Sequence, residues 1–218
     1  MGYEFDWSAA LDWKVWAQAL SVTLSYAVFT ILGGMLIGVF VGIGMLSKRW
    51  WLSAPAGGYV QLFRCTPLMV QIVWFYYALP MLAGFSIPAW IAGGLGLTLY
   101  MGAFCAEIFR AGVISIDKGQ WNAARALGMS DAKMMRHIIL PQAARRMVPP
   151  FVNQSVLQLK NTSLLYVVAV PDLMYKSYEL ASATFRPLET YTVVAAIYFI
   201  ILYPLTKIAK RLEARADR

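Results

Sequence analysis

A chain of 218 residues that is 60% apolar and only 14% charged falls well short of the charged share of about a quarter usual in a soluble domain. Its formal charge of +8 needs no nucleic acid, because the Lys and Arg residues gather between and after long apolar runs, the pattern of a topology signal. One histidine, His137, and two cysteines without a CxxC spacing, Cys65 and Cys105, exclude a His-based metal cluster and make a redox role improbable. No GxxxxGK[ST] loop is present, so any ATP must be bound by another chain.

In chain order, Val15 to Ser47 and Cys65 to Ala106 contain no Asp, Glu, Lys or Arg. About 20 apolar residues suffice to cross the hydrocarbon core as a helix. The first run follows acidic residues and is far longer than a signal-peptide core, so no cleavable leader is expected. Within it Gly34, Gly38 and Gly42 recur at every fourth position, which lets a neighbouring helix, of this chain or a second copy, approach closely. The second run is long enough for two crossings, with a turn at Met81 to Ile87 between Pro80 and Pro88. Met147 to Leu159 is apolar but short and carries Asn153, Gln154 and Gln158; polar side chains at membrane depth face a protein interior or a water-filled path. Thr190 to Thr206 completes the set. The expected fold is all-α and polytopic, a single domain over 1–218 with spans near 17–46, 58–80, 88–109, 144–162 and 188–210. Cys65 and Cys105 fall inside these spans and read as small buried apolar residues.

The loops decide the sidedness. Lys48 and Arg49 follow the first span, Arg110 to Arg146 supply seven cations to the central loop, and Lys207, Lys210, Arg211, Arg215 and Arg218 end the chain. An N-terminus outside and a C-terminus in the cytoplasm follow, with anionic membrane lipid as an additional partner.

The central loop, about 111–143, reads as two short helices. Asp117 to Leu127 forms the first, Gly128 supplies a left-handed stop, and Ser130 caps a second helix from Asp131. Pro141 ends or kinks that helix. Leu127 and Met129 are then exposed at the turn, as a plug for a groove in a partner.

Asn122, Ala123, Ala124, Gly128, Ile138, Leu140 and Pro141 stand at the spacing of the EAA loop of binding-protein-dependent ABC importer permeases, which this segment resembles. Asn122 replaces the usual glutamate; an amide still hydrogen-bonds, so docking with one ion pair fewer is expected. Phe63 to Gln71, Glu107 to Gly112 followed by Lys118-Gly119-Gln120, Lys160 to Leu164 and Val170 to Leu173 resemble, in order, further segments of the polar amino-acid permeases. The resemblance implies a type I importer transmembrane fold. It also implies a partner permease, identical or a sister chain, two ATPase subunits carrying ATP and Mg, and a periplasmic or extracellular amino-acid-binding protein. The chain itself would be no enzyme and bind no cofactor. Asn122, Ala123, Ala124, Leu127, Gly128, Met129, Leu140 and Pro141 would form the coupling element.

Glu107 pairs with a cation, Arg110 being nearest, or faces a polar cavity, and the structural ion pair is the favoured role; for Arg64, with headgroup contact, dimer contact and substrate recognition as the choices, a structural or gating role is favoured. Lys160, Asn161, Thr162 and Ser163 line the substrate path or form an interfacial turn capped by Thr162, and Gln71, Asn153, Gln154 and Gln158 are further path candidates. Asn161 and the opening Tyr3 to Ser8, which looks like glutamate/aspartate permeases, favour an acidic or neutral amino acid. The rivals are a secondary transporter or channel, and a membrane anchor for an enzyme complex.

Overall fold

A computed structural model describes residues 4–8 and 10–216, with side chains to 214. Tyr3 and the side chains of Arg215 and Arg218, used above, lie outside the described residues. No strand occurs among the described residues. The helices are α1 (Trp13–Met45), α2 (Trp50–Cys65), α3 (Leu68–Val73), α4 (Leu79–Ala83), α5 (Ala89–Ile114), α6 (Lys118–Ala126), α7 (Asp131–Met134), α8 (Leu140–Asn161), α9 (Leu173–Thr184) and α10 (Pro187–Ala216).

α1 starts where the Asp12 carboxylate accepts a hydrogen bond from the Lys14 N–H. It buries one stripe, Trp16, Ala19, Thr23, Ala27, Thr30, Gly34, Gly38 and Gly42, at steps of three and four. The other faces expose Phe29, Leu32, Leu36 and Phe40, the reverse of a water-facing helix and the right arrangement for lipid. The partner of the glycine stripe is α5 of the same chain. A Cβ on Gly38 would stand 2.3 Å from Cys105 Cβ, and one on Gly34 2.4 Å from Met101 Cγ. No such carbon pair is tolerated, so these glycines are what lets the two longest buried surfaces meet.

Three single helices, α1, α5 and α10, are long and apolar enough to span a bilayer, and a bent pair makes a fourth candidate. The expected span 58–80 is that pair: Trp50–Cys65 and Leu68–Ala83 meet at 106°. Pro67 has no N–H to continue the ladder and holds Thr66 extended, at φ −106° and ψ 133°. A π-turn at Trp74–Ala78 joins α3 to α4, and Gly84, at φ 74°, closes α4 inside the turn expected at Met81 to Ile87. The expected span at 144–162 is helical, α8, but too polar to pass as a span on composition. It packs against α1, α5 and α10. Pro141 does not end the preceding helix. The π-turn Met135–Ile139 widens the backbone just before it, with Leu140 N–H donating to Met135 O, and the chain runs on as α8. Of the two cysteines only Cys105 is buried; Cys65 is exposed at the helix break.

Candidate functional site

The central loop forms a helical projection packed on the ends of α5 and α8. Asp117 caps α6 by accepting from the Gly119 N–H at 2.6 Å. Gly128 takes φ 70°, its N–H donates to Arg125 O at 2.9 Å, and the Met129 N–H donates to Ala124 O at 3.1 Å. These two bonds make a Schellman stop, which needs a left-handed residue that glycine adopts without strain. Leu127 stands out, 79% exposed. Met129 does not, contrary to expectation: it folds back onto the buried cluster containing Ala124, the hydrophobic contact that accompanies this kind of helix end. Ser130 precedes α7 without a capping side-chain bond.

Ala124 is buried while Ala123 and Asn122 are exposed. Ala124 belongs to a cluster that runs from Phe109 and Val113 at the end of α5 to Met134 and Ile139 and on to Ala143 and Met147 of α8. Leu140 packs on its edge and Pro141 is exposed. The projection is thus joined to α5 and α8 through one apolar core. The Asn122 side chain makes no hydrogen bond among the described residues.

Above the projection lies a cavity of about 940 Å³ between α5, α8 and the end of α10. Arg64, Glu107, Arg146, Asn153, Gln154 and Glu213 supply its polar lining. Glu107 accepts from Arg110 Nε at 3.1 Å and lies 4.0 Å from Arg64 Nη1, so one carboxylate holds two guanidinium groups. Arg64 also stacks over Phe104, 5.4 Å from the ring centre. Arg146 donates to the Ser115 carbonyl and Asn153 Nδ2 to Glu213 Oε1. Glu213 was missed from sequence; its signal was an acid inside a basic tail.

The stripe Arg146, Pro150, Asn153, Leu157 and Lys160 on α8 is exposed along its length. Spaced by three and four residues, these positions share one face. Lys160 and the half-buried Asn161 therefore continue, one turn on, the face that lines the cavity. Gln71 and Gln158 do not line it. Gln71 Nε2 donates to Phe63 O and Thr66 O, both at 2.9 Å, bracing the break at Pro67. Gln158, fully buried, donates to Thr30 Oγ1 at 3.1 Å and Leu97 O at 2.9 Å, tying α8 to α1 and α5. Thr162 is buried and its hydroxyl donates back to Leu159 O, so it caps nothing ahead of it. The Ser163 hydroxyl likewise donates to Lys160 O.

Two buried acids were given no role by the sequence reading, although Asp172 lies in the Val170 to Leu173 segment noted there. Asp172 caps α9 by accepting from the Tyr175 N–H at 2.8 Å, while Leu173 N–H donates to Thr23 Oγ1 at 3.1 Å, pinning the Val170 to Leu173 segment to α1. Glu189, at the start of α10, accepts from the Asp6 N–H and from Arg186, clamping the N-terminal segment. Pro171 before the one acid and Arg186 three residues before the other were the available signals.

Apolar helix faces suited to lipid, an exposed α8 face bearing Arg146, Asn153 and Lys160, and a projection joined to α5 and α8 are the traits of a membrane transport subunit. Residues 34–218 match the model of a family described as the binding-protein-dependent transport system inner membrane component. The chain is 36% identical over 219 residues to the glutamine transport system permease protein GlnP of Escherichia coli (strain K12), covering 97% of this chain and 98% of that one. It is 34% identical over 198 residues to the arginine transport system permease protein ArtQ of Bacillus subtilis (strain 168), covering 91% and 90%. It is 36% identical over 214 residues to the octopine transport system permease protein OccM of Rhizobium meliloti, covering 93% and 85%. Among solved structures, an amino acid ABC transporter crystallised with histidines superposes with a TM-score of 0.91 at 32% identity, covering 98% of this chain and all of that one. The MetNI methionine ABC transporter in an inward-facing conformation shares the fold, with a TM-score of 0.75 at 20% identity over 94% and 97%. The chain belongs to the binding-protein-dependent transport system inner membrane components and is a permease subunit of an amino-acid ABC importer. It is a transport subunit, with ATP hydrolysis on a separate subunit in this family.

Proposed function

We propose that this subunit forms half of a path for a polar amino acid that is neutral or acidic overall, with Lys160 and Asn161 at the path and the α6–α7 projection docked on an ATPase. The observation that carries it is the exposed face of α8 bearing Arg146, Asn153 and Lys160. In a bilayer such a face cannot point at hydrocarbon; a second permease, identical or a sister chain, across a water-filled gap satisfies it. Two ATPases carrying ATP and Mg, and a binding protein on the opposite face, bias the same equilibrium between two orientations of the helices. The N-terminus then lies outside and the C-terminus in the cytoplasm. Because the relatives are named for glutamine, arginine and octopine, membership leaves the amino acid open. Lys160 is a charge complement for the carboxylate that every amino acid carries, and the lean rests on an amide rather than an acid at Asn161. Asp6 and its neighbours in the opening segment agree with it.

The test is uptake by the reconstituted complex. Lys160→Met removes a charge-assisted hydrogen bond worth about 1.5–3 kcal/mol, roughly ten- to 150-fold in apparent affinity, while ATPase assembly persists. Asn161→Asp shifts preference toward cationic amino acids. Unchanged affinity and selectivity in both variants would place the binding site elsewhere.

A further inference from the structure

We infer that the groove between the coupling helices and the adjoining ends of α1 and α5 binds the phosphate headgroup of an anionic phospholipid. The groove measures about 530 Å³ and shares no lining residue with the polar cavity. Three cations, Lys48, Lys118 and Arg125, line it against one acid, Asp131. Lys48 stands 4.0 Å from Asp131 at the rim, so that acid is matched. Lys118 and Arg125 have no ion-pair partner among the described residues.

Apart from Asn122, the remaining wall is apolar. Leu46 and Ile114 come from the ends of α1 and α5, and Ile114 is 57% exposed. One and two turns back along α1, Ile43 and Phe40 are 53% and 67% exposed and continue an apolar face into the span. Trp121 lines the groove, and Trp50 and Trp51 are exposed just beyond Lys48, the aromatic content typical of a membrane interface. A basic pocket between helices at the cytoplasmic interface is the geometry that takes acidic lipid headgroups. A soluble anion would satisfy the two free cations but gain nothing from Leu46, Ile114 and Ile43; a lipid uses both walls. Its headgroup would tie the α1–α2 connection to the coupling helices. The placement at the inner leaflet rests on the orientation proposed above, whereas the lipid's identity does not depend on which amino acid is carried.

The test uses the complete transporter, permease with its ATPase, in nanodiscs of mixed phosphatidylcholine and phosphatidylglycerol, extracted into detergent for native mass spectrometry of retained lipid. Wild type should retain phosphatidylglycerol selectively. Lys118→Gln with Arg125→Gln should weaken retention by about fivefold per cation, about 25-fold together. Lys207→Gln with Lys210→Gln, which removes the same charge from the tail, should leave it near wild type, and Lys118→Arg should also retain it. Equal loss from the groove and tail variants, or no preference for phosphatidylglycerol in wild type, overturns the inference. Displacement of the lipid by inorganic phosphate would make the site one for a soluble anion. Retention by the permease alone with loss on adding the ATPase would assign the groove to the subunit interface. Either result also overturns it, and neither bears on amino-acid uptake by the Lys160 variant.

Discussion

Gly38→Ala adds a single methyl group at the point where α1 and α5 are closest. Its carbon would lie 2.3 Å from Cys105 Cβ and 2.9 Å from both the Ala106 nitrogen and the Cys105 carbonyl carbon. Carbon atoms attract best at about 3.5–4.0 Å, so the helices must part by more than about 1 Å locally. Two of the three obstacles are backbone atoms, which no rotamer change can move. Overpacking of this kind costs about 1–3 kcal/mol, and Cys105→Gly in the same chain should restore only part of it because the backbone contacts remain. Gly57→Ala and Gly58→Ala provide the comparison: nothing lies within 4 Å of either added Cβ, and alanine in a helix interior gains up to about 1 kcal/mol over glycine. The assay is the unfolding midpoint of the detergent-purified complex under heat or denaturant. Gly38→Ala should lower it, the α2 variants should hold or raise it, and the Gly38→Ala, Cys105→Gly double variant should fall between. If Gly38→Ala unfolds with wild type, or drops no further than Gly57→Ala, the close α1–α5 approach is wrong.

Gly128→Val forces a β-branched residue to φ 70°, a strain of about 1–2 kcal/mol, and should weaken ATPase association and abolish uptake, while Gly84→Val, with the same strain at φ 74°, should leave ATPase association intact; pull-down of the ATPase separates them, and equal binding by both variants would remove the projection as the docking element. In a Cys65→Ser background, Ser130→Cys should be shielded from an impermeant thiol reagent in intact cells and Ser182→Cys labelled by it; labelling at 130 would reverse the proposed orientation.

Much of the architecture was legible because its causes are local or compositional. Long uncharged runs must cross lipid as helices, and Gly128 stands where a left-handed stop is required, whereas the cap expected of Ser130 does not form and Asp12 and Asp117, which do cap, were not singled out. The motif spacing was equally readable, since matching a family needs only residue identities in order. Other features were decided by tertiary contact. The glycine stripe announced close packing, but only the folded chain shows that the neighbour is α5 rather than a second copy. A proline predicts a broken ladder, yet whether the chain bends through 106°, as at Pro67, or opens a π-turn and continues, as before Pro141, depends on what packs around it. The glutamines show the limit most plainly. Gln71, Gln154 and Gln158 are alike as letters, and their roles separate only through distant partners: the carbonyls flanking a helix break, a cavity wall, and the α1–α5 seam. A polar side chain inside a membrane must find a hydrogen-bond partner, and the sequence states that need without saying which helix, brought close by folding, supplies it.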